Sequence, residues 1–146
     1  MNTQPDFEEF LSLLKTHRVE YMLVGGYAVA FHGYPRFTKD LDVFYRRQTE
    51  NVARLRAALV AFGFGQDDVN DLTLETEGEI IRFGVAPVMI DLINHIDGVT
   101  YEEADPHVVE GCYGNTPARF IGREHLLKNK RATPRAKDKV DANELE

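Results

Sequence analysis

The stretch LVGGYAVAFHGYPRFTKDLDVF, residues 23–44, is the feature that most constrains the fold of this chain. An apolar run ends in Gly25 and Gly26, a short segment follows, and Asp40 and Asp42 flank a leucine before a second apolar run. Residues two apart in a strand point to the same side, so both carboxylates would project from one face of a sheet. Such close like charges raise each other's pKa unless a cation lies between them. The pattern therefore predicts a strand that begins at a cation site, with a divalent ion as the usual occupant.

A third carboxylate, Asp91, lies inside the apolar segment VMIDLI at 88–93. Strand alternation would place Ile90 and Leu92 on one side and Asp91 on the other. Aspartate is depleted in strand interiors, and an unpaired charge there is unfavourable. Either a basic partner, for which Arg82 is a candidate, or the same cation site must compensate it. If the two strands are neighbours, all three carboxylates converge at one edge of the sheet.

The length and composition of the chain favour one domain, residues 1–146. Apolar residues make up 43% of the 146 residues, with nine Phe and six Tyr, which is enough for a proper core. The N-terminus lacks the pattern of a signal peptide, and no apolar run approaches the length of a membrane span. The single cysteine, Cys112, is expected to be a buried, inert thiol. We therefore expect a soluble cytoplasmic protein that does not associate with membranes.

Helical and strand patterns alternate along the chain. The patterns predict helices over residues 7–17, 25–33, 49–62 and 123–131, and a last helix that Thr133 and Pro134 open. They predict strands over residues 20–24, 41–45, 72–76, 79–84 and 88–94, with a hairpin turn at Glu77-Gly78, and a further strand or connector at 108–114 and at 116–122. This interleaving predicts an α/β (α+β) domain with one sheet.

The Gly25-Gly26 pair has two interpretations. Free N–H groups where a strand gives way to a helix could hold a phosphate, since glycine permits its close approach. The alternative is a simple strand-to-helix turn. The pair fits neither the G-x-G-x-x-G pattern nor the P-loop pattern.

Positive charge is concentrated near the C-terminus. Residues 118–140 carry eight Lys or Arg against two acidic residues, although the whole chain has a net charge of −7. This segment is either an anion site or a solvated helix surface. The acidic remainder argues against broad, nonspecific binding of duplex nucleic acid.

The combination of these motifs resembles the polymerase-β-like nucleotidyltransferase superfamily. The residues that carry the resemblance are Gly25-Gly26 after an apolar run, Asp40 and Asp42 in DLDV, and the isolated strand residue Asp91. The stretch is similar to small single-domain bacterial members, which include abortive-infection toxin-type proteins and relatives of antibiotic adenylyltransferases. The tail, residues 125–146, is similar to the C-terminal helices of such proteins. The resemblance implies the nucleotidyltransferase fold, one mixed β-sheet flanked by helices, with 118–146 as a basic C-terminal helical segment of the same domain.

The resemblance also implies an activity and roles for the matching residues. A nucleoside monophosphate would pass from an NTP to a hydroxyl-bearing acceptor, with release of pyrophosphate. Asp40, Asp42 and Asp91 would be the catalytic residues and would bind two Mg²⁺ ions, with Mn²⁺ as an alternative. The remaining implied role is nucleotide and phosphate binding, by Gly25, Gly26, Lys128, Lys130, Arg135, Arg36 and Lys39.

The acceptor would be a small molecule, a tRNA or a protein. Larger relatives carry an extra domain for it, so a homodimer or a partner protein would complete the acceptor site here. Two other functions remain open. The chain could be a non-catalytic nucleotide- or metal-binding partner in a toxin–antitoxin type of system, or a nucleic-acid-binding module that uses the basic segment.

Overall fold

The architecture is mixed α/β. A computed structural model describes residues 3–34, 38–86 and 88–133 together with 142, 143 and 145. The helices are α1 (Pro5–Thr16), α2 (Gly25–Phe31), α3 (Thr49–Phe62), α4 (Gln66–Asn70), α5 (Tyr101–Ala104) and α6 (Arg123–Ala132), with a 3₁₀ turn at Asp105–His107. The strands are β1 (Tyr21–Val24), β2 (Asp40–Tyr45), β3 (Ile81–Val85), β4 (Val88–Ile93), β5 (Val109–Tyr113) and β6 (Thr116–Phe120).

The six strands form one sheet in the order β3-β4-β2-β1-β6-β5. The pairs β2/β4 and β1/β6 are parallel, and the pairs β1/β2, β3/β4 and β5/β6 are antiparallel. The strands thus form the single sheet that the alternating pattern predicts, and its strand pairing is mixed.

Both faces of the sheet are covered, and strand alternation assigns each residue to a face. On one face, Leu41 and Val43 of β2 pack with apolar residues of α1 and α3. On the other face, Met22 and Phe44 pack with residues of α2, α5 and α6, including Leu126. Because β2 lies in the interior of the sheet, Asp42 is paired with Val24 of β1 on one side and with Asp91 of β4 on the other.

Helix α3 has the bounds that the sequence predicts. The side chain of Gln48 accepts a hydrogen bond from Asn51 N and so caps the first turn. The apolar positions Val52, Leu55 and Leu59 are buried. Gly63 ends the helix with φ of 130°, a conformation that L side chains rarely adopt.

The segment from 64 to 80 differs from the prediction. The expected strand over 72–76 is absent. These residues form turns and irregular structure, and the short helix α4 lies just before them. Glu77-Gly78 consequently lies in an irregular connection, and the hairpin is the one between β3 and β4. Leu74 is buried in the core and its carbonyl oxygen accepts hydrogen bonds from Tyr45 and Asn94, which hold the segment without a strand partner.

Three other predictions concern the C-terminal part of the chain. The strands expected at 108–114 and 116–122 are β5 and β6. The last predicted helix falls mostly on residues 134–141, outside the described residues. Cys112, expected to be buried, is exposed on the edge strand β5, so that prediction was wrong.

Within the part of the chain that the structure describes, none of the helices has the length and apolar character of a membrane span.

Candidate functional site

Strands β2 and β4 bring three carboxylates to one face of the sheet. Asp42 is paired in register with Asp91, and Asp40 is paired with Met89. In-register residues of parallel strands point to the same side, so all three carboxylates share a face. Ile90 and Leu92 point into the core on the other face. The sequence analysis expected the three carboxylates to converge only if their two strands were neighbours, and β2 and β4 are neighbours in the sheet.

Asp42 and Asp91 are electrostatically coupled. Burial, followed by the charges of Asp91 and Asp40, raises the pKa of Asp42 from 3.8 to about 7. Burial also raises the pKa of Asp91, against the lowering effect of the Arg82 guanidinium. The Asp42 side chain hydrogen bonds to Asp91, which raises the pKa of Asp42 and lowers that of Asp91. The pair therefore favours holding a proton, and a bound cation would displace that proton.

Arg82 contacts two of the carboxylates. Its Nη2 donates to Asp40 Oδ2 at 2.9 Å, and its Nε lies 3.7 Å from Asp91 Oδ1. Arg82 stands opposite Asp91 in the β3/β4 pairing, which explains why it reaches both side chains. The basic partner considered in the sequence analysis is thus present. Its side chain is 53% exposed, so it covers the carboxylates from the solvent side.

The donor set fits a hard divalent cation. Asp91 Oδ1 is buried and, apart from the 3.7 Å contact with Arg82, has no hydrogen-bond partner among the described residues, so it can serve as a ligand. Carboxylate oxygens are the ligands that Mg²⁺ prefers, and it usually takes one or two of them and completes its shell with waters and phosphates. Among the described residues, no group of three or more His, Cys, Asp or Glu side chains is already arranged around an ion position.

Gly25 is required by its contact with the carboxylates. Its φ is +70°, and a Cβ there would clash with Asp42 Oδ2. A Cβ at Gly26 would lie 2.6 Å from Oγ1 of Thr38. The chain therefore turns from β1 into α2 directly against Asp42 and Thr38, in a space that admits no side chain. This packing explains both glycines, and their phosphate-binding role stays a prediction.

Lys130 of α6 is a buried basic residue that acts on Asp42. It is 6% exposed, and its charge acts to lower the pKa of Asp42. A cavity of about 450 Å³ opens here, and its lining includes Gly25, Asp42 and Lys130. A buried cation, a carboxylate and a bare backbone turn thus border one space large enough for a small ligand.

Of the other basic candidates, the structure gives a contact away from the carboxylates for Lys128. Nζ of Lys128 pairs with Oε1 of Glu103 at 3.0 Å, and Lys128 does not line the cavity. Lys39 precedes β2 and is exposed. Arg36 and Arg135 lie outside the described residues. Their phosphate-binding roles stay predictions.

The sequence analysis missed part of the cavity wall. His95 lies between Glu77 and Asp97, with nitrogen–oxygen distances of 3.5 and 3.8 Å, and lines the cavity with Asp97 and Asn129. The available signal was the position of His95 just beyond the strand that carries Asp91. Asn129 gave no signal, because a polar residue at helical spacing normally indicates a solvated face.

Known proteins add no identification to this geometry. A scan against protein-family models gave no match, and a search of curated proteins gave no significant match. The carboxylate cluster and its cavity must therefore be interpreted from their own chemistry.

Proposed function

We propose that this protein is a Mg²⁺-dependent nucleotidyltransferase with the nucleotidyltransferase fold. It would transfer a nucleoside monophosphate from an NTP to a hydroxyl-bearing acceptor and release pyrophosphate. The observation that carries the proposal is the in-register pairing of Asp42 and Asp91, with Asp40 on the same face and Gly25 packed against Asp42. The mixed six-stranded sheet with helices on both faces is compatible with that fold.

The buried, mutually repelling carboxylates are the main support for a metal site. Arg82 contacts Asp40 at 2.9 Å and Asp91 at 3.7 Å, and the charge of Lys130 acts on Asp42. The pKa of Asp42 is raised first by burial and then by the charges of Asp91 and Asp40, an environment that a bound cation would relieve. Asp40, Asp42 and Asp91 would hold Mg²⁺, which when bound supplies the positive charge that stabilises the phosphate oxygens during transfer.

The residues of the chain itself would then bind and orient the nucleotide. Lys130, buried at the cavity wall, would place a fixed positive charge near the triphosphate. Gly25 would allow the phosphates to approach the backbone beside Asp42. Asp91, with its unsatisfied Oδ1, would orient the acceptor hydroxyl or accept its proton. The neutral or charged state of Asp42 would decide whether a cation can be held.

The direct test is nucleotide transfer with two labels. The wild-type protein is incubated with Mg²⁺, candidate acceptors and an NTP labelled on either the α- or the γ-phosphate. We expect the α-label to enter the acceptor and the γ-label to leave as pyrophosphate. Asp42→Asn should reduce this transfer by at least about a hundredfold, as expected when a group that stabilises the transition state is removed.

The matched control is Asp71→Asn, which removes an exposed aspartate at the end of α4. It should leave transfer unchanged. Transfer that survives Asp42→Asn, or γ-label that enters the acceptor, would contradict the proposal. NTP binding with no transfer to any of a broad set of acceptors would favour the non-catalytic partner function instead.

A further inference from the structure

A second cavity lies at the opposite end of β1 from the carboxylates. Its volume is about 340 Å³, and it is lined by the end of α1, the start of β1 and the strands β5 and β6. In the β1/β2 pairing Val24 stands opposite Asp42, whereas Tyr21, which lines this cavity, stands opposite Tyr45. A ligand in this cavity would therefore not touch the proposed catalytic residues.

Three basic side chains reach this cavity from three separate elements: Lys15, Arg18 and Arg119. The structure shows no hydrogen bond or ion pair from the side chains of Lys15 and Arg18 to any described residue. Arg119 is fixed by a 2.9 Å hydrogen bond from Nη2 to Asp105, and its buried Nε has no hydrogen-bond partner among the described residues. Lys15, Arg18 and the Nε of Arg119 are therefore donors without an acceptor in the described part of the chain.

Tyr21 supplies a fourth donor. Its hydroxyl oxygen accepts a hydrogen bond from Arg119 N at 3.2 Å, so its own proton is left to donate. Burial raises the pKa of Tyr21, and the group therefore keeps that proton. Tyr21 is only 3% exposed and lines the cavity, so its hydroxyl is largely shielded from bulk water.

Acidic residues of the cavity do not cancel these donors. Glu20 is already paired with Arg46 at 3.0 Å. Glu110 stands opposite Arg119 in the β5/β6 pairing but is exposed at the edge of the sheet and forms no ion pair with a described residue. Glu110 thus faces two basic side chains without an ion pair to a described residue, Lys15 and Arg18, and the free Nε of Arg119, and this balance favours an anion.

The backbone at Arg18 strengthens this assignment. Val19 N donates to Leu14 O at 2.9 Å and Arg18 N donates to Lys15 O at 3.1 Å, which is the hydrogen-bond pattern of a Schellman cap. Arg18 is the residue of that cap with positive φ, 58°, where glycine is favoured. An unfavourable backbone conformation is thus retained with an arginine whose side chain lines the cavity, and such strain is typical of binding sites.

We propose that this cavity binds the phosphate group of a small phosphomonoester through Lys15, Arg18, Arg119 and Tyr21. A phosphate dianion accepts several charge-assisted hydrogen bonds at once, and guanidinium groups match its geometry. The cavity has room for the phosphate and a group about the size of a sugar. The net charge of −7 disfavours a long polyanion, so the ligand is a small molecule and not a nucleic acid.

The test measures binding of two probes, inorganic phosphate and a nucleoside 5′-monophosphate, by titration calorimetry. EDTA is included so that no metal occupies the carboxylate cluster. We expect saturable binding of one monophosphate per chain, with a Kd of about 1 mM or lower, weakening as salt is added. Arg18→Ala and Arg119→Gln should each weaken it by about tenfold, since each removes charge-assisted hydrogen bonds.

Two further variants separate this site from its surroundings. Glu110→Gln should strengthen binding several-fold, because it removes the one uncommitted carboxylate. Asp42→Asn should leave binding unchanged, which distinguishes this site from the proposed nucleotidyl transfer site whether or not that proposal holds. Circular dichroism and thermal unfolding are the controls that test whether each variant is folded.

Three outcomes would overturn the assignment. The first is the absence of saturable binding to the wild-type protein, and the second is binding that survives in the folded Arg18→Ala protein. The third comes from a short single-stranded RNA as competitor. If it bound much more tightly than the monophosphate and lost that binding in Arg18→Ala, the cavity would be a contact for a nucleic acid backbone and not a small-molecule site.

Discussion

At the scale of single residues, Arg18 and Gly25 share a left-handed backbone conformation, which suits glycine and is unfavourable for arginine. Both have positive φ, 58° and 70°. Gly25 meets its backbone requirement without a side chain, and a Cβ would clash with Asp42. Arg18 occupies a conformation that glycine would adopt with less strain. A residue that the backbone disfavours is therefore best explained by its side chain, here by its place in the second cavity.

The strain at Arg18 can be measured as stability. Arg18→Gly should raise the free energy of unfolding by about 1 kcal/mol, because a left-handed conformation is unfavourable for a residue with a Cβ. Arg18→Ala is the matched control, since it removes the same side chain but keeps the Cβ. Urea unfolding of the two variants beside the wild-type protein measures the difference. If the alanine variant gained as much as the glycine variant, the effect would come from charge and not from the backbone.

At the scale of elements, a buried asparagine holds α3 to the sheet. Asn51 is fully buried and sits in the first turn of α3. Its Oδ1 accepts from Glu20 N at 2.6 Å, and its Nδ2 donates to the carbonyl oxygens of Glu20 and Arg46 at 2.9 and 2.8 Å. One side chain thus ties α3 to the chain just before β1 and just after β2. All of its hydrogen-bonding groups are in use, as burial requires.

Removing the Asn51 side chain should therefore destabilise the protein. Asn51→Ala should lower the free energy of unfolding by about 2–3 kcal/mol, because it leaves buried backbone groups unsatisfied. Asn70→Ala, at the exposed end of α4, should change it by less than about 0.5 kcal/mol. Denaturant unfolding monitored by circular dichroism compares the two variants. Equal losses would show that Asn51 has no special role in docking α3.

The elements also show how far sequence patterns reach. Helix α3 was predictable because its cap, apolar face and terminal glycine are local signals. The segment 72–76 was misread as a strand because Leu72 and Leu74 alternate with polar residues. Its actual conformation depends on hydrogen bonds from Tyr45 and Asn94, which are distant in sequence. Long-range hydrogen bonds leave no periodic pattern, and the role of Asn51 was invisible for the same reason.

The candidate site was predictable to a similar extent. Asp40, Asp42 and Asp91 were found because carboxylates are rare in apolar strands, and strand alternation gave their common face. The buried position of Lys130 could not be told from that of its exposed neighbour Lys128, since both lie in one basic run. Only the packing of α6 on the sheet separates them.

At the scale of the whole molecule, the carboxylate cluster should control how stability depends on pH. The pKa of Asp42 rises from 3.8 to about 7 on folding. Between these values the folded protein binds a proton that the unfolded chain has released, so stability falls as pH rises through this range. The contribution of Asp42 is most favourable below pH 3.8 and is lost above about 7. If the carboxylates hold Mg²⁺ as proposed, Mg²⁺ should reverse the loss, because it would bind the ionised form in the folded state only.

Asp42→Asn tests this dependence. The variant should be more stable than the wild-type protein at pH 8 by about 2 kcal/mol, and this difference should shrink as pH falls towards 4. Saturating Mg²⁺ should stabilise the wild-type protein at pH 8 and leave the variant nearly unaffected. Urea unfolding at the two pH values, with Mg²⁺ or EDTA, gives all the comparisons. A difference that did not change with pH would show that the carboxyl group is already ionised in the folded state at low pH.

The parallel alignment of β2 with β4 links correct folding to the chemistry of the cluster. If β4 slipped by one position, Asp91 would enter the apolar layer between the sheet and α3, and Leu92 would face the ligand cavity. Such a misaligned chain would be heavily penalised and would not persist. Molecules that fold at all would thus carry the carboxylates correctly placed, and no separate assembly step for the site would be needed.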